Sequence, residues 1–183
     1  IRRRLRAGGF ENFDAYYQFL TSARGAGELE GFLDAITTNE TFFFRTPKHF
    51  EWLADSMLGE LLLQRREGRR KPSLRIWSAG CASGAEPYSI AITLLENKHR
   101  LQDWTLRIVG TDISEEVLGA ARQGAFPPRA VEAVSEKQLR RFFQHRPSDD
   151  RWCVRPEVKQ MVEFRHHNLM QPLGEVAFDC VFI

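Results

Sequence analysis

The chain has 183 residues, of which 43% are hydrophobic and 27% charged, and its formal net charge is +2. That describes a soluble globular protein with enough length for one full α/β domain and a small attachment. No membrane-inserted segment is expected, since none of its apolar runs approaches the roughly 18 to 20 residues one needs, and no secretory leader is expected, because the basic residues 2–6 are not followed by an apolar core.

Three scattered cysteines, Cys81, Cys153 and Cys180, read as reduced thiols of a cytoplasmic protein and not as a disulfide frame or a metal knuckle. The small net charge gives no push toward nucleic acid. Basic residues are local instead, at Arg2, Arg3, Arg4 and Arg6 and again at Arg65, Arg66, Arg69, Arg70 and Lys71. The chain starts without Met and stops inside the apolar run 178–183, so a fragment of a longer protein is expected.

In chain order, residues 1 to about 37 predict helices. Asn12 is placed to cap a helix with Phe13, Tyr16, Tyr17 and Leu20 on one stripe. A second helix runs through Leu29, Phe32, Leu33 and Ile36. Thr46-Pro47 predicts a further helix start, with a hydroxyl cap and Pro at the first position. Spacings of three and four then bury Phe50, Leu53, Met57 and Leu61.

After Pro72 strands and helices alternate. Strands are expected at Leu74–Ser78 and Leu106–Gly110, and helices at Glu86–Glu96 and after Ser114. Ser135 and Gln138 form a capping box, with Val134 and Leu139 as its hydrophobic staple. Trp152–Arg155 and Met161–His166 read as strands around a turn, and Phe178–Ile183 as a last strand. Alternation of this kind predicts an α/β fold with a doubly wound, Rossmann-like parallel sheet behind a small all-helical N-terminal domain, divided at residues 1–37 and 38–183.

The stretch Arg75–Ile90, RIWSAGCASGAEPYSI, carries the chemistry. A strand feeds a small-residue bend from Gly80 to Gly84, which opens into a helix at Glu86. This unit lets a ligand approach the backbone at the carboxyl end of a parallel strand. The bend lacks both G-x-G-x-x-G and a P-loop Lys, and it places a carboxylate where a phosphate prefers bare N–H groups. A cationic ligand follows, and S-adenosylmethionine (SAM), with its ammonium and sulfonium groups, meets that demand.

Asp112, after the second strand, either accepts hydrogen bonds from ribose hydroxyls or caps the next helix. Asn168 either hydrogen-bonds an adenine edge, with Leu169 on the ring, or simply turns the chain. His166 and His167 are adjacent, point to opposite sides of a strand and give no metal site. In TTNETFFFR, residues 37–45, three phenylalanines either plug the core or exclude water from a pocket lined by Asn39, Thr41 and Arg45.

Four segments in this order and spacing, TTNETFFFR, WSAGCASGAEPYSI, GTDIS (110–114) and HNL (167–169), resemble the chemotaxis-receptor protein-glutamate O-methyltransferase family, CheR. The likeness runs over essentially the whole chain. It implies SAM as cofactor, with Asn39, Thr41 and Arg45 over its methionine end and Gly80 in the bend beneath. Glu86 would hold the amino group, Asp112 the ribose, and Asn168 and Leu169 the adenine. Arg45 would also orient the reacting groups, as the one catalytic side chain.

The family usually carries a second acid where this chain has Ala85. Its further pocket residues would follow Ile183, and its small β-hairpin insert is expected to be missing. The implied partner is the cytoplasmic helical region of methyl-accepting chemotaxis receptors. Arg2, Arg3, Arg4 and Arg6 either dock on it or form an ordinary solvated helix face. A cytoplasmic monomer is expected. The rival functions are methylation of a small molecule or RNA, and a non-catalytic SAM-binding receptor adaptor.

Overall fold

The computed structural model describes residues 2–36, 41–174 and 177–183; of Arg3, Glu30 and residues 33–36 it describes the backbone. The chain divides into two compact units, Ile1–Asn39 and Glu40–Ile183.

The first unit consists of helices α1 (Arg2–Ala7), α2 (Phe13–Leu20) and α3 (Ala26–Ile36). Asn12 caps α2 as expected, its Oδ1 accepting from the Ala15 N–H at 2.9 Å. Tyr16 is buried and packs on Phe10 and Phe32. Its hydroxyl donates to Glu28, which also accepts two bonds from Arg4 at 2.9 and 2.6 Å. The Arg4 hydrogen bond, then the Tyr16 one, holds the Glu28 carboxyl below its ordinary range.

The second unit opens with α4 (Pro47–Trp52), a wider π-helical turn (Leu53–Met57) and α5 (Leu58–Arg66). The expected stripe of Phe50, Leu53, Met57 and Leu61 is buried. Thr46 is a correction: it precedes Pro47 at the N-cap, but its hydroxyl makes no capping bond at φ −122°, ψ 85°. The start of this helix therefore rests on Pro47, which needs no N–H partner.

Then follow β1 (Ser73–Ala79), α6 (Ala85–Glu96), β2 (Thr105–Asp112), α7 (Glu115–Gln123), β3 (Ala125–Phe126), α8 (Glu136–Phe142), β4 (Phe143–Arg146), β5 (Arg151–Val154), α9 (Pro156–Lys159), β6 (Val162–His166) and β7 (Cys180–Phe182). Four strands form an all-parallel sheet in the order β6-β2-β1-β7. The chain moves outward from β1 through β2 to β6, then returns to the other side of β1. That reversal creates a crevice at the carboxyl end of β1, where ligands of such sheets bind. The core beside it includes Leu74, Ile76, Ile90, Ile92, Leu94 and Ile108, all at most 1% exposed.

The predicted caps hold. Ser114 Oγ accepts from the Val117 N–H, and the Ser135–Gln138 capping box is complete. Two expectations on the strands do not. Residues 151–154 and 162–166 belong to different sheets, separated by α9, with β5 pairing antiparallel to both β3 and β4. Consequently a small β-hairpin is present: β4 and β5 form one, with Asp150 at φ +50° in its turn. Local alternation marks a strand but does not say with which strand it pairs, which is why the sequence misassigns both. No helix among the described residues is long and apolar enough to cross a membrane.

Candidate functional site

The carboxyl ends of β1, β2 and β6 bring Gly80, Glu86, Asp112, Asn168 and Leu169, among the sequence-predicted residues, to one edge. After β1 the backbone turns through Gly80 at φ +72° and Gly84 at φ +90°, and α6 begins at Ala85. Beside Gly80 the space a Cβ would take is open, so a ligand can reach the backbone there. At Gly84 it is closed: a Cβ would stand 2.9 Å from Ala121 Cβ and 3.0 Å from Phe164 Cζ. The first glycine thus offers access and the second lets α6 pack against α7 and β6.

Ala82, between them, adopts φ +47°, a conformation that costs an alanine about 1–2 kcal/mol. Asp112 stabilises it: its Oδ2 accepts from the Ala82 N–H at 2.8 Å while Oδ1 accepts from the Ser114 N–H at 3.0 Å. Cys81 N–H donates to the Thr111 carbonyl at 2.8 Å, tying the bend to β2 a second time. Asp112 therefore does not cap α7, whose N-cap is Ser114; it turns the chain toward Ser114 and holds the bend. Each carboxylate oxygen keeps a second lone pair for a ligand hydroxyl.

Glu86 is half-buried in the first turn of α6, the one acidic residue there. Its Oε1 accepts from Ser78 Oγ at 2.7 Å. A carboxylate in the first turn of α6, a bend open at Gly80 and a second carboxylate at the end of β2 fit an amino acid joined to a nucleoside. They fit a diphosphate poorly, because two carboxylates repel it.

Beyond β6, His167 N–H donates to the Asp112 carbonyl at 2.9 Å, which sets the following residues beside the second strand. Asn168 turns the chain, with its Oδ1 accepting from the Met170 N–H at 2.9 Å; Leu169 is 48% exposed beside it. His167 packs on Trp77, and its Nε2 is buried without a hydrogen-bond partner among the described residues.

Segment 41–45 lies against the start of α6. Phe43 N–H donates to the Ala130 carbonyl at 2.9 Å and Phe44 N–H to Ser89 Oγ at 3.0 Å, one turn beyond Glu86. Thr41 is half-buried and Arg45 exposed, its guanidinium 6.0 Å from the Phe42 ring. Asn39 lies outside the described residues. The three phenylalanines divide. Phe43 is fully buried between Phe126 and Phe143 at 4.8 and 4.9 Å, Phe44 packs on Phe50, and Phe42 is 43% exposed. They do not act as one water-excluding wall, since the chain turns at Phe43–Phe44, with Phe44 at φ +54°, and sends the three rings to different surroundings.

Ser78, Ser89 and His167 escaped sequence reasoning as members of this edge. A serine in the buried alternation of β1, in phase with Leu74 and Ile76, was the available signal. In the helical unit, Arg4 is bound to Glu28 and so is not a free docking cation; Arg2 and Arg6 are exposed.

Residues 39–183 match the family model described as CheR methyltransferase, SAM binding domain. Among curated relatives, the chain is 37% identical to a chemotaxis protein methyltransferase of Borreliella burgdorferi, over 97% of this chain and 63% of that protein. It is 40% identical to chemotaxis protein methyltransferase 2 of Pseudomonas aeruginosa, over 100% of this chain and 63% of the relative. The Salmonella typhimurium chemotaxis protein methyltransferase is 36% identical, over 98% and 60%. The chain thus spans somewhat under two thirds of the length of these relatives. With these likenesses, the chain belongs to the CheR methyltransferase family, and its cofactor is S-adenosylmethionine.

Proposed function

We propose that the protein transfers a methyl group to glutamate side-chain carboxylates in the cytoplasmic helical region of chemotaxis receptors, giving methyl esters. The observation that supports this most is the placement of Glu86 at the exit of the Gly80–Gly84 bend and of Asp112 on the Ala82 N–H within it, inside the stretch matching the SAM-binding domain. The relatives' names, chemotaxis protein methyltransferase, support the receptor as substrate.

Bound SAM supplies an electrophilic methyl group. The residues proposed to hold it are Glu86 at the ammonium, Asp112 at the ribose, Asn168 and Leu169 at the adenine, and Asn39, Thr41 and Arg45 over the methionine end. A glutamate carboxylate, with a pKa near 4.3, is already ionised at neutral pH, so the site needs no general base. The reaction neutralises a carboxylate and a cation together, and a site poor in water favours it. Arg45 orients the incoming carboxylate through a loose contact, because a tight bidentate clamp would blunt the nucleophile. Arg2, Arg3 and Arg6, with Arg4 held on Glu28 beside them, form the proposed docking face toward the receptor, and the protein works as a monomer in the cytoplasm.

Incubating the full-length protein with methyl-tritiated SAM and a receptor cytoplasmic domain tests this. Label that enters the receptor and leaves as volatile methanol in base supports a methyl ester. Base-stable label, or label entering RNA or a small molecule in its place, overturns it.

A further inference from the structure

We propose that Ser78 is a positioning residue for the cofactor's amino group: its buried hydroxyl fixes the Glu86 carboxylate so that Oε2 meets the ammonium. The inference rests on the reading of Glu86 as the ammonium ligand.

Ser78 lies in β1 at a fully buried position, in the alternation that otherwise carries Leu74 and Ile76. An apolar residue would suit that position better on burial alone. The hydroxyl points instead to the first turn of α6, donating to Glu86 Oε1 at 2.7 Å. A hydroxyl donating to a carboxylate makes a charge-assisted hydrogen bond, about twice as strong as a neutral one. Two features make the bond matter. Ala85 precedes Glu86 and no other acid stands in that turn, so one carboxylate carries the charge. Gly84, at the N-cap of α6, offers no side chain to steady the turn.

A glutamate has three side-chain torsions and, half-buried at the mouth of the bend, would otherwise sample several rotamers. The serine comes from the sheet and the glutamate from the helix, so the bond also registers one element against the other at the ligand's edge. Ser78 touches no ligand in this account; it acts through Glu86.

The test is isothermal titration calorimetry on the full-length protein with two ligands. S-adenosylhomocysteine carries the amino-acid end, and 5′-methylthioadenosine keeps the nucleoside but lacks that end. Ser78→Ala weakens S-adenosylhomocysteine about 10-fold, the scale of losing one hydrogen bond to a charged group, and leaves methylthioadenosine within about twofold. Unchanged methylthioadenosine binding also shows that the variant folds. In a Glu86→Ala background, Ser78→Ala has no further effect on S-adenosylhomocysteine, because a residue acting only through Glu86 has nothing left to position.

Equal weakening of both ligands, or an undiminished effect in the Glu86→Ala background, reduces Ser78 to a structural residue and overturns the proposal. If Glu86→Ala discriminates between the ligands while Ser78→Ala changes neither, Glu86 keeps its role and the positioning claim falls alone. If Glu86→Ala itself fails to discriminate, the ammonium reading falls and takes the proposal with it.

Discussion

Replacing Gly84 with alanine separates a corner built for close packing from one in which glycine is incidental. The backbone there sits at φ +90°, and an added Cβ would stand 2.9 Å from Ala121 Cβ, 3.0 Å from Phe164 Cζ and 3.3 Å from Ala121 Cα. Two costs combine. A non-glycine residue in this region is strained by about 1–2 kcal/mol. Forcing a methyl group between packed side chains adds about 1–3 kcal/mol. Ala121 belongs to α7 and its Cα cannot yield without moving that helix, so little of the second cost is relieved. We expect a total of about 2–5 kcal/mol, read as a lower urea midpoint by circular dichroism with an unchanged m-value. Displacing the start of α6 also moves Glu86, so affinity for S-adenosylhomocysteine falls with it. A Gly84→Ala protein with parental stability and affinity would refute the packing argument.

Four further outcomes follow from named contacts. Asp112→Asn keeps one acceptor where Ala82 and Ser114 each need one, and it faces one N–H with an amide donor; stability drops by about 2 kcal/mol in urea titration, and S-adenosylhomocysteine binding weakens too. Phe43→Ala, in a site closed by Phe126 and Phe143, costs about 3–5 kcal/mol by the same measurement, whereas Phe42→Ala, at an exposed position, stays within about 0.5 kcal/mol. Ser135→Ala removes the capping box of α8 and lowers stability by about 1 kcal/mol.

The fourth concerns pH. The Glu28 carboxyl titrates below its ordinary range in the folded unit, first through the hydrogen bond from Arg4 and then through that from Tyr16. Its contribution is therefore complete above the unfolded carboxyl's pKa and is lost as pH falls through the folded value. Acid titration of the helical unit, followed by circular dichroism, shows an acid limb that Glu28→Gln flattens.

The bend was legible because its signals are local. Two glycines, small residues between them and an acid opening a helix specify a backbone path and a charge within a few positions. Caps at Asn12, Ser114 and Ser135 were legible for the same reason, since each needs only a partner three residues away. The fates of Phe42, Phe43 and Phe44 were not. Which ring enters the core depends on bonds to Ala130 and Ser89, both more than 40 residues distant along the chain. The antiparallel sheet of β3, β4 and β5 was hidden because alternation identifies a strand without naming its partner. Arg4 looked like part of a free basic face until Glu28, 24 residues on, was found against it. The link from Ser78 to Glu86 spans eight residues, yet it joins a strand to a helix and shows only when both are placed.

A crystal structure of the full-length protein grown with S-adenosylhomocysteine tests the central claim most directly. The account predicts the ligand's amino nitrogen about 3 Å from Glu86 Oε2, the ribose hydroxyls on Asp112 and the adenine against Leu169. A homocysteine amino group placed away from Glu86, with the nucleoside lying off the edge formed by β1, β2 and β6, would contradict it.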